Sequence, residues 1–259
     1  MKKWFVVLSL CVGVVFTSCI GSDEGENVDN FSNCIAVVGY DNTVNLPTLN
    51  FYDGYRKLCS EIIAPQLSAY AVGTGIGASF KIDYNKLYQD KYVSVTEFNS
   101  IAELPNHNYS ENKSFDPLVA TQNTYPLSEV KYSFYTHHLG RIFMFTEVDE
   151  VMSNDKVKYN MVYVPEENVT DTVKLYLYAE VGDANYPKRD RGTSVDVFNL
   201  EDLFDLGEDT TIASTGAKYK KLNVNLKYCS SQDAETGNYN WTDLIGEDGK
   251  PEELLLKRY

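Results

Sequence analysis

The amino-acid sequence predicts an all-β protein. Between residues 34 and 228, apolar and polar residues alternate with a period of two in many short segments, and long stretches of helical periodicity are absent. The alternating segments are rich in valine, isoleucine, threonine and tyrosine, and turn-forming residues separate them. A chain of 259 residues with 20 tyrosines and 12 phenylalanines has enough apolar material for one large or two medium cores.

The chain begins with the pattern of a secretory signal that ends at a lipid-modified cysteine. Two lysines precede an apolar run from Trp4 to Phe16, and small residues precede Cys19. As a helix this run is about 20 Å long, whereas the hydrocarbon core of a bilayer is about 30 Å thick. We therefore expect residues 1–18 to be a cleaved signal peptide and Cys19 to carry lipid. The alternative is an ordinary signal peptide with an unmodified cysteine.

Residues 19–32 are expected to form a solvated, acidic tether. They include Asp23, Glu24 and Glu26 and have too little apolar content to fold alone. An acidic group directly after the lipid cysteine resembles the surface-export signal of Bacteroidetes lipoproteins. This resemblance implies an outer-membrane lipoprotein exposed at the cell surface; an anchor that faces the periplasm is the alternative.

The net charge limits the possible partners. At −14, the chain repels nucleic acid phosphates and anionic lipid headgroups. We therefore expect no nucleic acid partner, and contact with the membrane only through the lipid anchor.

The cysteines and histidines predict neither a metal site nor a cofactor. Cys34 and Cys59 could form a disulfide, or both could be small buried apolar residues together with Cys229. The sequence has no CxxC motif. The neighbouring His137 and His138 would point to opposite faces of a strand, so they are poorly placed to share one ion. His107 lies in an asparagine-rich segment without an obvious third ligand.

Four or five strands are predicted before residue 100. Their approximate positions are 34–40, 48–52, 80–84 and 92–98, and Asp53-Gly54 is a favoured turn pair after the second. The segment Gly73-Thr-Gly75-Ile-Gly77 resembles a phosphate loop, but a strand pattern follows it where a helix would be required. We therefore predict a flexible hairpin connection there. A proline- and asparagine-rich connector, residues 101–128, follows the first group of strands.

After the connector the strand pattern is clearer and predicts an antiparallel sandwich. The predicted strands lie at residues 131–136, 141–148, 157–163, 173–179, 195–197 and 222–228. Between the last two, Asn199 can cap a short helix that has acidic residues in its first turn and ends at Gly207.

Two segments carry a family resemblance. The stretches Asp171–Asp183 and Ser194–Leu200, together with the acidic lipoprotein start and the early Asp-Gly turn, resemble the NigD-like lipoproteins. The resemblance implies an N-terminal OB-like barrel, residues 33–100, and a C-terminal β-sandwich with a tail, residues 129–259. It implies no reaction, because the shared motifs are apolar patterns and a Gly-Asp loop.

The loop between these two segments is the best candidate for a functional site. It combines charge, an aromatic ring and a proline between two strands, and its candidate binding residues are Asp183, Asn185, Tyr186, Arg189, Asp190 and Arg191. Asp183 and Asp190 could be a glycosidase-like acid/base pair if they face one cleft; a solvated turn is the alternative. The loop is a poor calcium site, since Pro187 occupies a position where a ligand is needed.

Several tyrosines lie in or beside predicted strands and would suit stacking on sugars or on a protein partner if they form an exposed row. They are Tyr84, Tyr88, Tyr92, Tyr132, Tyr135, Tyr159, Tyr163, Tyr176 and Tyr178. Half-buried positions on a sheet would explain them equally simply. Asp171-Thr172-Val173 also resembles the O-glycosylation motif of Bacteroidetes envelope proteins, which makes Thr172 a possible acceptor.

Together these observations predict a lipid-anchored envelope protein with a binding or accessory role. We expect it to contact a glycan or an envelope protein and to catalyse no reaction, because no nucleophile motif is present. The alternatives are an envelope hydrolase that uses the carboxylate pair, and a fimbrial or adhesive subunit.

Overall fold

The computed structural model describes most of residues 28–256, in two compact units that meet in sequence between Leu104 and Pro105. The described residues are 28–42, 45–51, 57–58, 63–88, 92–120, 123–135, 140–148, 157–165, 172–182, 192–212, 217–246 and 250–256. The predicted signal peptide and Cys19 lie outside these ranges. Among the described residues, no helix has the length and apolar character that crossing a membrane requires.

The first unit is a single five-stranded antiparallel sheet with one short helix. Its elements are β1 (Val28–Asp41), β2 (Leu46–Phe51), β3 (Lys57–Leu58), α1 (Ala64–Leu67), β4 (Gly75–Tyr88) and β5 (Tyr92–Glu103). The strand order is β3-β2-β1-β4-β5. The two edge strands, β3 and β5, approach within 8 Å between Cα atoms, and no ladder joins them in the part that is described. The sheet is therefore curled, which fits an OB-like architecture.

The core of this unit fills the inside of the curled sheet. On β1, alternate residues Cys34, Ala36 and Val38 are buried in it. From β4, Phe80 stacks on Phe31 with 5.1 Å between ring centroids. Ile35 and Val37, which lie between Cys34 and Val38 on β1, are also buried, so this part of the strand is a continuous apolar run in the sequence.

Two details of the first unit differ from, or extend, the sequence prediction. Strand β1 begins at Val28, so residues 28–32 of the predicted tether are part of the sheet. Cys34 is a buried free thiol, and burial raises its pKa to about 11. Its suggested partner, Cys59, lies outside the described residues.

The second unit is a sandwich of two sheets. Its elements are β6 (Asn106–Asn108), β7 (Ser110–Glu111), β8 (Thr124–Tyr125), β9 (Glu129–Tyr135), β10 (Arg141–Val148), β11 (Val157–Tyr163), β12 (Thr172–Val181), β13 (Gly192–Asn199), α2 (Glu201–Phe204), β14 (Glu208–Ile212), β15 (Ala217–Gln232), β16 (Tyr239–Ile245) and β17 (Glu252–Leu256). We call the sheet of order β6-β13-β10-β9 sheet B. The sheet of order β14-β15-β12-β11-β7 is sheet C, in which β16 and β17 also pair with β15, and β8 with β12.

The all-β prediction is confirmed, but the sandwich is not purely antiparallel. Strand β12 pairs in parallel with β15, β11 with β7, and β13 with β6. Between β12 and β15 the chain passes through β13 in sheet B and returns through α2 and β14. Such a crossover lets two strands of one sheet run in the same direction, whereas a hairpin does not.

The main core of the second unit lies between sheets B and C. Sheet C contributes alternating buried residues from β11, β12 and β15, and sheet B contributes Ile142, Met144 and Phe198. The predicted helix is present as α2, where the Asn199 Oδ1 atom accepts a hydrogen bond from the Glu201 amide at 3.0 Å. Leu203 and Phe204 of α2 are buried in the same core.

The predicted connector is more structured than expected. Ile101–Glu103 completes β5, and short strands follow at β6, β7 and β8. Farther along, the ring of Phe115 lies against Tyr176, Tyr178 and Trp241, whose centroids are 5.4, 6.0 and 6.1 Å away. The connector therefore packs on the outer face of sheet C, where Val162, Tyr178, Cys229 and Tyr239 form a second, smaller buried cluster.

Candidate functional site

The loop predicted to bind a ligand lies outside the described residues. This applies to Asp183, Asn185, Tyr186, Arg189, Asp190 and Arg191, so the separation of the proposed carboxylate pair is untested. The ends of the loop are described. It leaves β12 of sheet C after the exposed Gly182, whose φ is +93°, and enters β13 of sheet B at Gly192. The loop therefore connects the two sheets of the sandwich.

The strand tyrosines do not form an exposed row in the part of the chain that is described. Tyr159 and Tyr178 are buried, with 1% and 6% of their surface exposed. Tyr84, Tyr132, Tyr163 and Tyr176 are half-buried, and no side-chain position is described for Tyr88, Tyr92 and Tyr135. Buried or half-buried packing on sheets therefore accounts for the six of these tyrosines whose side chains are described.

Some of the remaining sequence motifs lie within the described residues and others lie outside them. A turn at residues 71–74 leads from α1 directly into β4 at Gly75. A strand therefore follows the glycines, as predicted, and not the helix that a phosphate loop requires. The predicted hairpin is wrong, because α1 precedes the turn and β4 pairs with β1 and β5. His137, His138 and Asp171 lie outside the described residues, whereas Thr172 is the half-buried first residue of β12. Within the described ranges, no three histidine, cysteine, aspartate or glutamate side chains are grouped as a metal site requires.

The structure reveals a polar pair that the sequence did not predict. The Nε2 atom of His107 lies 2.6 Å from the Oδ1 atom of Asp196, and the Asp196 side chain is fully buried while that of His107 is 18% exposed. His107 lies on β6 and Asp196 on β13, which are neighbours in sheet B. The two residues are 89 positions apart, so no local motif could have indicated the contact.

The surroundings of this pair are apolar. The His107 ring stacks on Phe198 with 5.0 Å between centroids, and Met144 is the cross-strand neighbour of Asp196. Thr146, also fully buried on β10, has no hydrogen-bond partner for its hydroxyl. A buried carboxylate in such surroundings requires a hydrogen-bonding partner, because desolvation of an unpaired charge is costly.

A buried aspartate that holds one nitrogen of a histidine leaves the other nitrogen able to accept a proton or a hydrogen bond. Nucleophilic catalysis needs a third group that the histidine can activate. In the described part of the chain, no hydroxyl or thiol is hydrogen-bonded to His107. The pair links β6 to β13 in addition to their backbone pairing.

The pair belongs to a segment that joins the two sheets, which we call the strap and define as residues Asn106–Glu111. Strand β6 extends sheet B through β13, and after Tyr109 strand β7 extends sheet C through β11. The Tyr109 ring packs edge-on against Tyr163, 6.2 Å away. Burial raises the pKa of Tyr109, and the nearby Asp202 and Glu111 raise it further.

Comparisons with known proteins show similarity at the level of fold. No family model matches the chain, and a search of curated proteins found no significant match. Among solved structures, an uncharacterised protein from Parabacteroides merdae is 18% identical, with a TM-score of 0.57 over 87% of this chain and 99% of that chain. A protein of unknown function from Bacteroides vulgatus is 12% identical, with a TM-score of 0.44 over 90% and 91% of the two chains.

A NigD-like immunity protein from Bacteroides caccae is 13% identical, with a TM-score of 0.45 over 85% of this chain and 93% of that chain. A member of the family that the sequence resembles is thus among the solved structures similar to this chain. At identities this low, the likeness to the Parabacteroides merdae protein is one of fold, and the fold defines a two-unit, all-β protein.

Proposed function

We propose that the protein is a lipid-anchored protein of the cell envelope, held at the outer membrane and exposed at the cell surface, with a binding or accessory role. The observation that carries the proposal is the N-terminal sequence, in which a short apolar run ends at Cys19. Two or three acyl chains on one cysteine are sufficient for stable anchoring.

The position of β1 in the chain limits how far the first strand can lie from the membrane. Only residues 20–27 separate Cys19 from Val28, the first residue of β1. A fully extended chain spans at most about 3.6 Å per residue, so this tether reaches about 30 Å. In the anchored protein, the first strand would therefore lie close to the membrane surface.

The binding role is supported by where the candidate loop is attached. Residues 183–191 join sheet C to sheet B and carry Asp183, Arg189, Asp190 and Arg191. Loops held at the end of a rigid sandwich commonly carry binding residues. We propose a glycan or an envelope protein as the partner, without catalysis by the chain itself.

The anchor is tested by the mass of the N-terminal peptide of native protein. We expect acyl groups on Cys19 and recovery of the protein with outer membranes, whereas the Cys19→Ala variant should lack the acyl mass and leave the membrane fraction. Protease added to intact cells should digest the anchored protein if it faces outward. An unacylated N-terminus in the native protein would refute the anchor.

The binding role is tested by capture from intact envelopes and by a glycan array, both with the mature chain. Replacing Arg189 and Arg191 together by alanine should weaken capture. The matched charge control replaces two exposed strand lysines, Lys158 and Lys218, together by alanine. Equal capture by both variants would exclude the loop as the binding site. Absence of any ligand for the correctly displayed protein would refute the binding role.

A further inference from the structure

The strap covers strand edges that would otherwise be open. In sheet B, β13 has β10 on one side and only β6 on the other; in sheet C, β11 has β12 on one side and only β7 on the other. Both pairings with the strap are parallel and short, with register partners from Asn106 to Asn108 and from Ser110 to Glu111. Without the strap, the edge of β13 at residues 197–199 and the edge of β11 at residues 162–163 would lose these pairing partners.

The strap is attached by few buried groups. None of its six side chains is buried: His107 and Tyr109 are half-buried, and Asn106, Asn108, Ser110 and Glu111 are exposed. By contrast, the strands beneath it contain fully buried residues, such as Val157 on β11 and Phe198 on β13. Segments with little buried apolar surface open locally at a lower free energy than the core strands around them.

We propose that the strap can detach from the edges of β13 and β11, and that an extended strand of a partner polypeptide can pair with these edges in its place. The proposal rests on the binding role proposed above and gives it a second surface, separate from the loop at residues 183–191. The strap itself shows that both edges accept a strand in parallel orientation. Addition of a strand to an open edge is a common mode of peptide recognition.

The same contacts define the chemistry of the partner strand. The buried Asp196 carboxylate faces the first inward position of the strap, where His107 now lies. A side chain that donates a hydrogen bond or carries positive charge fits this position best. The second inward position, two residues later, holds Tyr109 against Tyr163. The partner segment should therefore have a basic or donor side chain followed, two residues on, by an aromatic one.

Local opening of the strap can be measured by hydrogen exchange of four backbone amides in the mature chain. The Val197 amide donates to Pro105 and the Asn112 amide to Tyr163, so both report strap attachment. The Leu200 amide, bonded to Gly140, and the Val164 amide, bonded to Lys174, lie beside the same two strands but outside the strap. We expect the two strap reporters to exchange about tenfold or more faster than the two reference amides, a ratio that corresponds to 1.4 kcal/mol.

Three single substitutions test whether the side-chain contacts of the strap control its local opening. Tyr109→Ala removes an inward ring and keeps the His107–Asp196 contact, and it should speed exchange at Val197 and Asn112 but not at Leu200 and Val164. His107→Ala should act in the same direction if it folds. Asn108→Ala, an exposed residue of the same strand, is the matched control and should leave all four rates unchanged.

The probe for exchange is a labelled synthetic peptide of residues 105–112, whose binding is followed by fluorescence anisotropy. It should bind the Tyr109→Ala variant about tenfold more tightly than the unmodified chain or the Asn108→Ala variant, because the edge is free for a larger fraction of time. The same peptide with glutamate at the His107 position should not bind, since it would face Asp196.

Three results would overturn the proposal. The first is exchange of the strap reporters at the rate of the reference amides, and the second is failure of the peptide to bind the Tyr109→Ala variant. The third is a dimer formed by strap exchange between two copies, seen by native mass spectrometry, which would assign the edge to the chain itself. None of these results bears on acylation of Cys19 or on capture through the loop at residues 183–191, so failure of either proposal is recognisable.

Discussion

The two units of the molecule build their sheets in different ways. In the first unit all pairings are antiparallel, and β1–β2, β2–β3 and β4–β5 join strands that are consecutive in the chain. In the second unit, β12 pairs with β15, and both sheets are completed by strands of the strap. The comparison teaches that similar strand patterns can give a meander when contacts are local and a mixed sandwich when they are not.

The largest expected effect tests whether the two units are independent. Phe80 in the first unit and Phe198 in the second are 1% and 0% exposed, and truncation of a buried phenylalanine costs about 3–5 kcal/mol. We expect Phe80→Ala to lower only the first unit's thermal transition in calorimetry and Phe198→Ala only the second's. If both variants lowered one common transition equally, the units would unfold together.

A smaller effect is expected at the polar contact that is special to the second unit. His107→Ala removes one hydrogen bond to the buried Asp196 carboxylate, and we expect a loss of about 2 kcal/mol in the free energy of unfolding. Denaturant titration measures this loss, with Asn108→Ala as the control near zero. If the double variant His107→Ala/Asp196→Ala showed fully additive losses, the two side chains would not be energetically coupled.

Cys34 in the first unit and Cys229 in the second are buried free thiols. Labelling of each thiol can therefore follow the unfolding of its own unit. Burial raises the pKa of Cys34 to about 11 and that of Cys229 to about 12, so at pH 8 both are protonated and inert to iodoacetamide in the folded chain. Because the folded pKa values are raised above 9.0, their stabilising effect is present below pH 9 and is lost as the pH rises through 11 to 12.

Peptide mapping after labelling checks this prediction. Cys34 should become labelled when the first unit unfolds, and Cys229 when the second unit unfolds. Rapid labelling of either thiol in the folded protein at pH 8 would contradict its burial. A Cys34–Cys59 disulfide in the native protein would contradict the free thiol at Cys34.

The smallest effects are expected at surface ion pairs that cross between neighbouring strands. In the first unit Lys81 lies 3.6 Å from Glu97, and in the second Lys227 lies 3.1 Å from Asp243. Pairs of this exposure typically contribute less than about 1 kcal/mol and weaken with salt. Double-mutant cycles at low and high salt should give a larger coupling free energy for Lys227–Asp243, because this pair is less exposed. Equal coupling free energies would show that exposure does not distinguish the two pairs.

Much of the secondary structure could be predicted because it follows from local pattern. The strand at Val157–Tyr163 alternates as the sheet requires. The helix at Glu201–Phe204 forms where it was predicted, although its N-cap is Leu200, and the Asn199 side chain one residue earlier accepts the hydrogen bond from the Glu201 amide. The strap could not be predicted, since its polar, asparagine-rich sequence has little strand character. It is ordered by pairing with β11 and β13, which lie far away in the chain.

The sequence by itself determined the all-β class, the approximate positions of the strands and the acidic character of the chain, because side-chain periodicity and charge are local properties. Only the tertiary structure decided that the sandwich is mixed, that the connector covers the outer face of sheet C, and that His107 meets Asp196. These features depend on contacts between residues that are distant in the chain, and alternation within a strand does not specify which strand becomes its neighbour.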